Sequence, residues 1–339
     1  MKTKKTYTFV LRQLLSLALL PMLLGACLYE HPETTADGEP GIDPTGVNVT
    51  AQLSLNLKLD DAPTARTGTR ADAVTYRHRI IVDAYLNREL ATRQVVYREL
   101  TDAEALTVNV DLKLHARDYQ LVVWADYVKA DSEDDLYYNT TTLVPALNAD
   151  PYKGNVEQKD VLYGNAPLEL AQYRNAWNTQ LSIDLDLKRP VARYELIADD
   201  VAKFLRKITD KEITGKKFNL TVRYTQFFYT GFNALDEITK NALQYITYSK
   251  SIGVPAADVT ELSVGFDYPF VPDGKADIPI AVEVTDEKGN LIARTYLLLS
   301  CTAGENQTIR SNFLTADPSG GVGFDPDYDG SIDQEIEVE

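Results

Sequence analysis

The sequence predicts a mainly β protein, built from two β-sandwich domains with a few short helices. Three observations carry this. Apolar and polar residues alternate with period 2 in several separate stretches. Turn-forming Gly, Pro, Asn and Asp fall between those stretches, and helical spacing is confined to two short segments.

The first strand is expected from Val47 to Leu59. Val47, Val49, Ala51, Leu53, Leu55, Leu57 and Leu59 are apolar, and Asn48, Thr50, Gln52, Ser54, Asn56, Lys58 and Asp60 between them are polar. Side chains of a strand point alternately to opposite faces, so this pattern buries one face and wets the other. An irregular stretch, Asp61 to Ala71, comes next, rich in Pro, Gly and Thr and carrying the basic residues Arg66 and Arg70. Alternation returns at Leu106, Val108, Val110, Leu112 and Leu114, and again at Leu181, Ile183, Leu185 and Leu187. Tyr119 to Trp124 is nearly all apolar and reads as a more fully buried strand. Ile278, Ile280, Val282 and Val284 open a hairpin that turns at Asp286-Glu287-Lys288-Gly289-Asn290 and returns to Ser300. Helices are expected at Val201, Phe204, Leu205 and Ile208, capped by Asp199 or Asp200, and from Asn233 to Ser249. Lys188-Arg189-Pro190 marks a domain boundary, because proline interrupts a strand and constrains the residue before it.

The N-terminus carries a targeting signal. Lys2, Lys4 and Lys5 precede an apolar run from Leu14 to Leu24, which ends in Leu24-Gly25-Ala26-Cys27. The run is well short of the roughly 20 apolar residues of a membrane span, and Pro21 interrupts it. A signal peptide over residues 1–26, with Cys27 lipidated after cleavage, accounts for the pattern and places the protein on the outside of a bacterial membrane. Residues 27–46, of Pro, Gly, Thr and acid, read as a flexible tether. The rest of the chain, roughly 290 residues, is long enough for two domains, 47–188 and 189–339.

Composition excludes several function classes. Asp and Glu number 50 against 34 Lys and Arg, and no basic patch interleaves with aromatics, so no nucleic-acid partner is expected. With Cys27 lipidated, Cys301 is alone and no internal disulfide can form. It comes after Tyr296-Leu297-Leu298-Leu299-Ser300 and reads as a small buried hydrophobe in a strand. The three histidines, His31, His78 and His115, lack ligand-spaced neighbours, and no nucleophile elbow, P-loop or dinucleotide fingerprint occurs. No catalytic residues and no cofactor are expected, and the chain is not expected to be an enzyme.

The metal candidate is Asp325-Pro326-Asp327-Tyr328-Asp329-Gly330, with Asp333 further on. Asp325, Asp327 and Asp329 fit positions 1, 3 and 5 of a calcium loop, and Gly330 fits position 6. Position 12 falls on Ile336 rather than a bidentate acid, so no tight calcium binding is expected.

Several stretches together resemble the fimbrillin-like lipoproteins of Bacteroidales, the subunits and anchors of type V pili. Arg79-Ile80-Ile81-Val82-Asp83-Ala84-Tyr85 is similar to an early strand of that family. Leu121 to Val128, then Tyr137-Tyr138, resembles its Val-Trp-x-Asp-Tyr-Val signature, and Leu187 to Arg193 its Leu-Lys-Arg-Pro junction. Asn312-Phe313-Leu314-Thr315 with the later Asp-x-Asp-Gly turn is like its C-terminal end. Cys27 to Pro32 resembles its Cys-x-His-Glu-x-Pro opening with His and Glu exchanged.

The resemblance implies two tandem transthyretin-like β-sandwiches, no catalysis, and assembly with other fimbrial subunits by β-strand addition. In that family a trypsin-like protease removes the first strand and a neighbour's C-terminal strand fills the groove. Anchor members keep the strand and stay in the outer membrane through their lipid. Arg66 and Arg70 are the candidate cleavage sites, and Val47, Val49, Leu53, Leu55, Leu57 and Leu59 mark the removable strand. The tether is longer than in the best-known anchors, which leaves anchor and stalk both open. The alternating tail Ile332, Gln334, Ile336 and Val338 is a candidate donor strand. The alternative function, from another class, is a glycan-binding surface lipoprotein of a polysaccharide uptake system, whose stacking platforms would come from the 20 tyrosines and two tryptophans.

Overall fold

The structure is a computed structural model and describes residues 47–59, 74–101, 103–176 and 178–318. Cys27, Arg66, Arg70, Asp325, Asp327, Asp329, Asp333 and the tail from Ile332 to Val338 lie outside the described residues.

The chain is mainly β, with one α-helix among the described residues. In order, the strands are β1 (Asn48–Lys58), β2 (Tyr76–Leu86), β3 (Glu89–Glu99), β4 (Ala105–His115), β5 (Asp118–Lys129) and β6 (Tyr138–Asn139). Then come β7 (Ala146–Leu147), β8 (Leu162–Glu169), β9 (Thr179–Leu187), β10 (Arg193–Ala198), β11 (Lys217–Tyr224) and β12 (Phe228–Asn233). The last six are β13 (Ile238–Leu243), β14 (Thr247–Gly253), β15 (Leu262–Asp267), β16 (Lys275–Asp286), β17 (Leu291–Thr302) and β18 (Asn306–Ser311). Helix α1 (Val201–Thr209) falls between β10 and β11.

Five sheets form among the described residues. Two use only strands before residue 188, in the orders β4-β1-β9 and β3-β2-β5-β8. Two use only strands after it, β15-β10-β18 and β14-β11-β16-β17, and the fifth, β13-β12-β7-β6, mixes the halves. β16 and β17 form the expected hairpin, paired from Lys275↔Thr302 to Val284↔Ala293 in one register and shifted at Thr285↔Leu291. Its turn is closed by Asp286, whose carboxylate accepts from Lys288 N and Asn290 N at 2.8 Å each. Cys301 is buried in β17, as its setting predicts.

The chain divides into two compact units. The smaller holds the start of β1, residues 113–118 and residues 169–181. In it Ala116 N donates to Val47 O at 3.0 Å, and Ala171 N donates to the Asp118 carboxylate at 2.9 Å. Val47, Val49, Ala51, Leu114, Ala116 and Leu170 are its buried apolar groups. The larger unit holds the remaining strands and α1. One apolar cluster of its core runs from Ile81 to Leu314, and Leu53, Leu55, Leu57, Ile80, Val108 and Leu121 are further buried apolar groups outside that cluster.

α1 forms where helical spacing places it, with Phe204 and Val201 fully buried. Asp200 occupies the N-cap, but its carboxylate does not cap the helix. It accepts instead from Thr315 Oγ1 at 2.7 Å and Leu314 N at 3.1 Å, tying the Asn312-Phe313-Leu314-Thr315 segment to the helix start.

The second expected helix, Asn233 to Ser249, is not helical. The segment holds β13, paired with β12, and β14, paired with β11. The Asn233 side chain accepts from Leu235 N at 3.0 Å and Asp236 N at 3.2 Å, a local turn that competes with helical bonding. Glu237, Asn241 and Tyr245 then adopt left-handed backbone, which no helix tolerates. The spacing of Leu235, Ile238, Ala242 and Ile246 is a coincidence of composition in two short strands.

Candidate functional site

β1 is the element on which the sequence places function. The alternation holds residue by residue: Val47 to Leu59 at odd positions are 0–5% exposed, whereas Asn48 and Lys58 are exposed and the polar residues between them half-buried. β1 is the middle strand of its sheet, between β4 and β9. In the larger unit Leu59 N donates to Glu104 O at 2.6 Å, and Asn56 bridges outward, donating to Asp186 at 2.9 Å and accepting from Thr107 at 3.0 Å. Burying such a side chain is worth about 1.5–3 kcal/mol, so the row contributes on the order of 10 kcal/mol or more. Its removal would leave two strand edges facing a vacant apolar slot, not one edge at a sheet border.

Two of the motifs that carry the resemblance each hold a buried ion pair. Asp126, from Val-Trp-x-Asp-Tyr-Val, is held by Arg79 through two bonds of 2.8 and 2.7 Å, both side chains being buried. Trp124 Nε1 also donates to Asp126 at 3.3 Å. Arg79 reaches Asp135 at 2.7 Å, and Asp135 in turn accepts from Thr140 N and Oγ1. These donors hold the Asp135 carboxyl below its usual range against the opposing effect of burial. At the Leu-Lys-Arg-Pro junction Arg189 grips the buried Asp160 at 2.8 and 3.1 Å, while Lys188 lies 5.1 Å above the Tyr163 ring and reaches Glu237 at 3.0 Å.

A second cluster was not legible in the sequence. Lys159, 1% exposed, closes a single 3-10 turn from Glu157, and its ammonium meets the carboxylate of Asp267, 0% exposed, at the end of β15. Tyr152 and Tyr224 hydroxyls donate to the same carboxylate at 2.6 and 2.8 Å. Tyr194 lies within hydrogen-bonding distance of both Tyr224 (2.8 Å) and Tyr248 (3.1 Å). Burial pushes all four phenols well above their ordinary pKa. Glycine is needed at 154 because a methyl group there would lie 2.4 Å from the Tyr248 ring. The partners are scattered from 152 to 267 at no motif spacing. Only the fold brings them together.

No group of three or more His, Cys, Asp or Glu gathers as a metal would need among the described residues. His78 is buried against the Tyr127 ring, at 4.9 Å between centroids, and His115 does not join it. No helix among the described residues is long and apolar enough to cross a membrane.

Residues 44–339 match a protein family described as a family of unknown function, DUF6562. The chain belongs to that family. The DUF6562 match opens just before β1 and so takes in the strand and both motif-borne ion pairs. No curated protein sequence matches significantly. Among solved structures, the chain is similar to the fimbrial anchor protein Mfa2 from Porphyromonas gingivalis at 12% identity, covering 78% of this chain and 90% of that one, with a TM-score of 0.39. A provisionally assigned cell adhesion protein from Bacteroides eggerthii has 11% identity over 82% and 92% of the two chains, TM-score 0.40. A provisionally assigned polysaccharide-binding protein from Bacteroides thetaiotaomicron has 11% identity over 77% and 90%, TM-score 0.42.

Proposed function

We propose that the protein is a structural subunit of a cell-surface fimbria, held in the outer membrane through lipid on Cys27 and joined to other subunits by strand addition. The observation that carries this is β1, a fully alternating strand in the middle of its sheet. The stretch directly after it, residues 60–73, holds Arg66 and Arg70. Cleavage there would separate β1, together with Cys27, from the rest of the chain. A neighbour's alternating strand would then occupy the slot, gaining backbone bonds on both sides. The tail from Ile332 to Val338 has the required alternation.

The uncut state, and with it the anchor or accessory role, is the form we favour, because an intact β1 keeps its whole apolar row buried. Terminal sequencing of the protein from cells tests this. A blocked, acylated Cys27 supports the anchor, and a free N-terminus at Thr67 or Ala71 makes the protein a polymerising stalk subunit instead. We further propose that two transthyretin-like sandwiches meet near residues 188–190, a reading supported by the four sheets that draw strands from one side of that junction.

The second reading, glycan binding, draws on Phe227 and Tyr245, 61% and 80% exposed. The pairing Phe228↔Leu243 brings both to one end of the β12–β13 hairpin. Retardation in affinity electrophoresis on a polysaccharide gel, lost in Tyr245→Ala, would establish it. Unretarded migration across a panel of polysaccharides removes it.

A further inference from the structure

We propose that Lys159 and Asp267 condense to form an intramolecular isopeptide bond. The bond is independent of any fimbrial role. Both side chains are almost wholly buried and in direct contact. Two full charges there carry a desolvation cost that condensation abolishes, because the product is a neutral amide. The pair is also fixed in place: Tyr138 Oη donates to Lys159 O at 2.6 Å, and the Lys159 ammonium sits 4.0 Å above the Tyr152 ring. Holding amine and carboxyl together in this way replaces a bimolecular encounter with an intramolecular one.

The surrounding donors suit the chemistry atom by atom. Lys159 Nζ passes a proton to Asp267 Oδ1, giving an amine and a carboxylic acid. Burial lowers the ammonium pKa and so favours that transfer. The amine lone pair attacks Cγ. The negative charge that develops on Oδ2 meets the Tyr152 and Tyr224 hydroxyls, which already donate to that oxygen at 2.6 and 2.8 Å. The C–Oδ1 bond then breaks, Oδ1 takes a second proton from nitrogen, and one water leaves. No oxidant or further reactant is needed.

The product's hydrogen-bonding groups have partners waiting. The amide oxygen keeps both tyrosines, and the amide N–H keeps Lys153 O, which Nζ already contacts at 3.0 Å. Tyr268 N, now 2.9 Å from Oδ1, is the one group that must find another acceptor. The neighbouring buried carboxylate in the chain, Asp160, is occupied by Arg189 and leaves Lys159 to Asp267. The bond would close a loop between residues 108 apart in a chain where Cys301 has no described partner thiol.

Mass spectrometry of the full chain under denaturing conditions tests this, with Lys159→Arg as reference so that N-terminal processing cancels. Wild type should be lighter than the substitution alone accounts for, by one water. Trypsin should fail to cut after Lys159, and fragmentation should show the Lys159 and Asp267 peptides joined. The digest of folded wild type decides the matter even if Lys159→Arg does not fold. A linear peptide ending at Lys159, beside an unmodified Asp267 peptide, overturns the proposal, as does a water loss that maps to any other pair.

Discussion

β1 and the Lys159–Asp267 cluster are equally buried, yet opposite kinds of interaction hold them. Along β1 the contacts are those of an alternating row of buried apolar side chains in a strand flanked on both sides by others of its sheet. Around Asp267 each bond joins one particular pair of atoms, drawn from the segment at 152–159 and from β10, β11, β14 and β15. The difference teaches which parts of such a fold can be exchanged. Apolar burial is non-directional and tolerates a substitute of the right pattern, whereas a buried polar network tolerates none, because each unpaired group is costly.

The largest effect should come from putting a charge into the apolar row of β1. Leu55→Ala is expected to cost about 2–5 kcal/mol. Leu55→Asp leaves a carboxylate in the apolar row and should exceed that, approaching the roughly 5–15 kcal/mol that holds a domain together. Urea unfolding monitored by tryptophan fluorescence gives both values. A mild Leu55→Asp phenotype would mean the row is not a dry slot.

Next is the cluster itself. Lys159→Ala strands the Asp267 charge and should cost about 3–5 kcal/mol. Lys159→Met with Asp267→Leu should recover, in the same denaturant titration, only the part of that loss that comes from the stranded charge, because the isopeptide cross-link is absent from both variants. A double variant no better than the single would show that the missing cross-link, rather than the stranded charge, carries the loss.

These two regions also divide what was legible in the sequence from what was not. β1 could be read because burial of one face imposes period 2 on thirteen consecutive residues, Val47 to Leu59. The β16–β17 hairpin could be read because Asp286 to Asn290 carries its own turn chemistry. β3 offered no such signal: Leu90 and Val95 are largely exposed, so no apolar face disciplines its sequence. The Asn233–Ser249 segment misled because apolar spacing in short strands can mimic a helix, while the Asn233 turn that decides the matter is a side-chain bond. The motifs at Trp124–Asp126 and Arg189 were visible as a resemblance, but their role as ion-pair partners required the fold.

A pH titration sharpens the contrast from the polar side. His78 is buried between Arg98 and Tyr127 in register on β3 and β5, and desolvation lowers its pKa to about 4 from 6.5. The unfolded chain therefore binds the extra proton first, so this stability is complete above pH 6.5 and is lost as pH falls toward 4. The loss should reach up to about 3 kcal/mol, at 1.36 kcal/mol per pKa unit. His78→Gln should flatten the slope of unfolding free energy across that window. An unchanged slope would assign the acid sensitivity elsewhere.

The smallest effect is expected on the wet face of β17. Leu298 is 58% exposed, beside the buried Leu299. Leu298→Lys should alter stability by no more than about 0.5 kcal/mol, whereas Leu299→Lys should disrupt the core. Equal effects in thermal melts would contradict the burial assigned to this hairpin.

The central property proposed for β1 is that another strand can replace it. The direct test is to delete residues 47–59 and add them back as a synthetic peptide. Calorimetric titration should show saturable binding, and thermal melts should recover toward the intact protein. A peptide of identical composition with its alternation scrambled should do neither. Equal rescue by both peptides, or by none while the truncated protein stays folded, would contradict the claim that β1 fills a patterned slot.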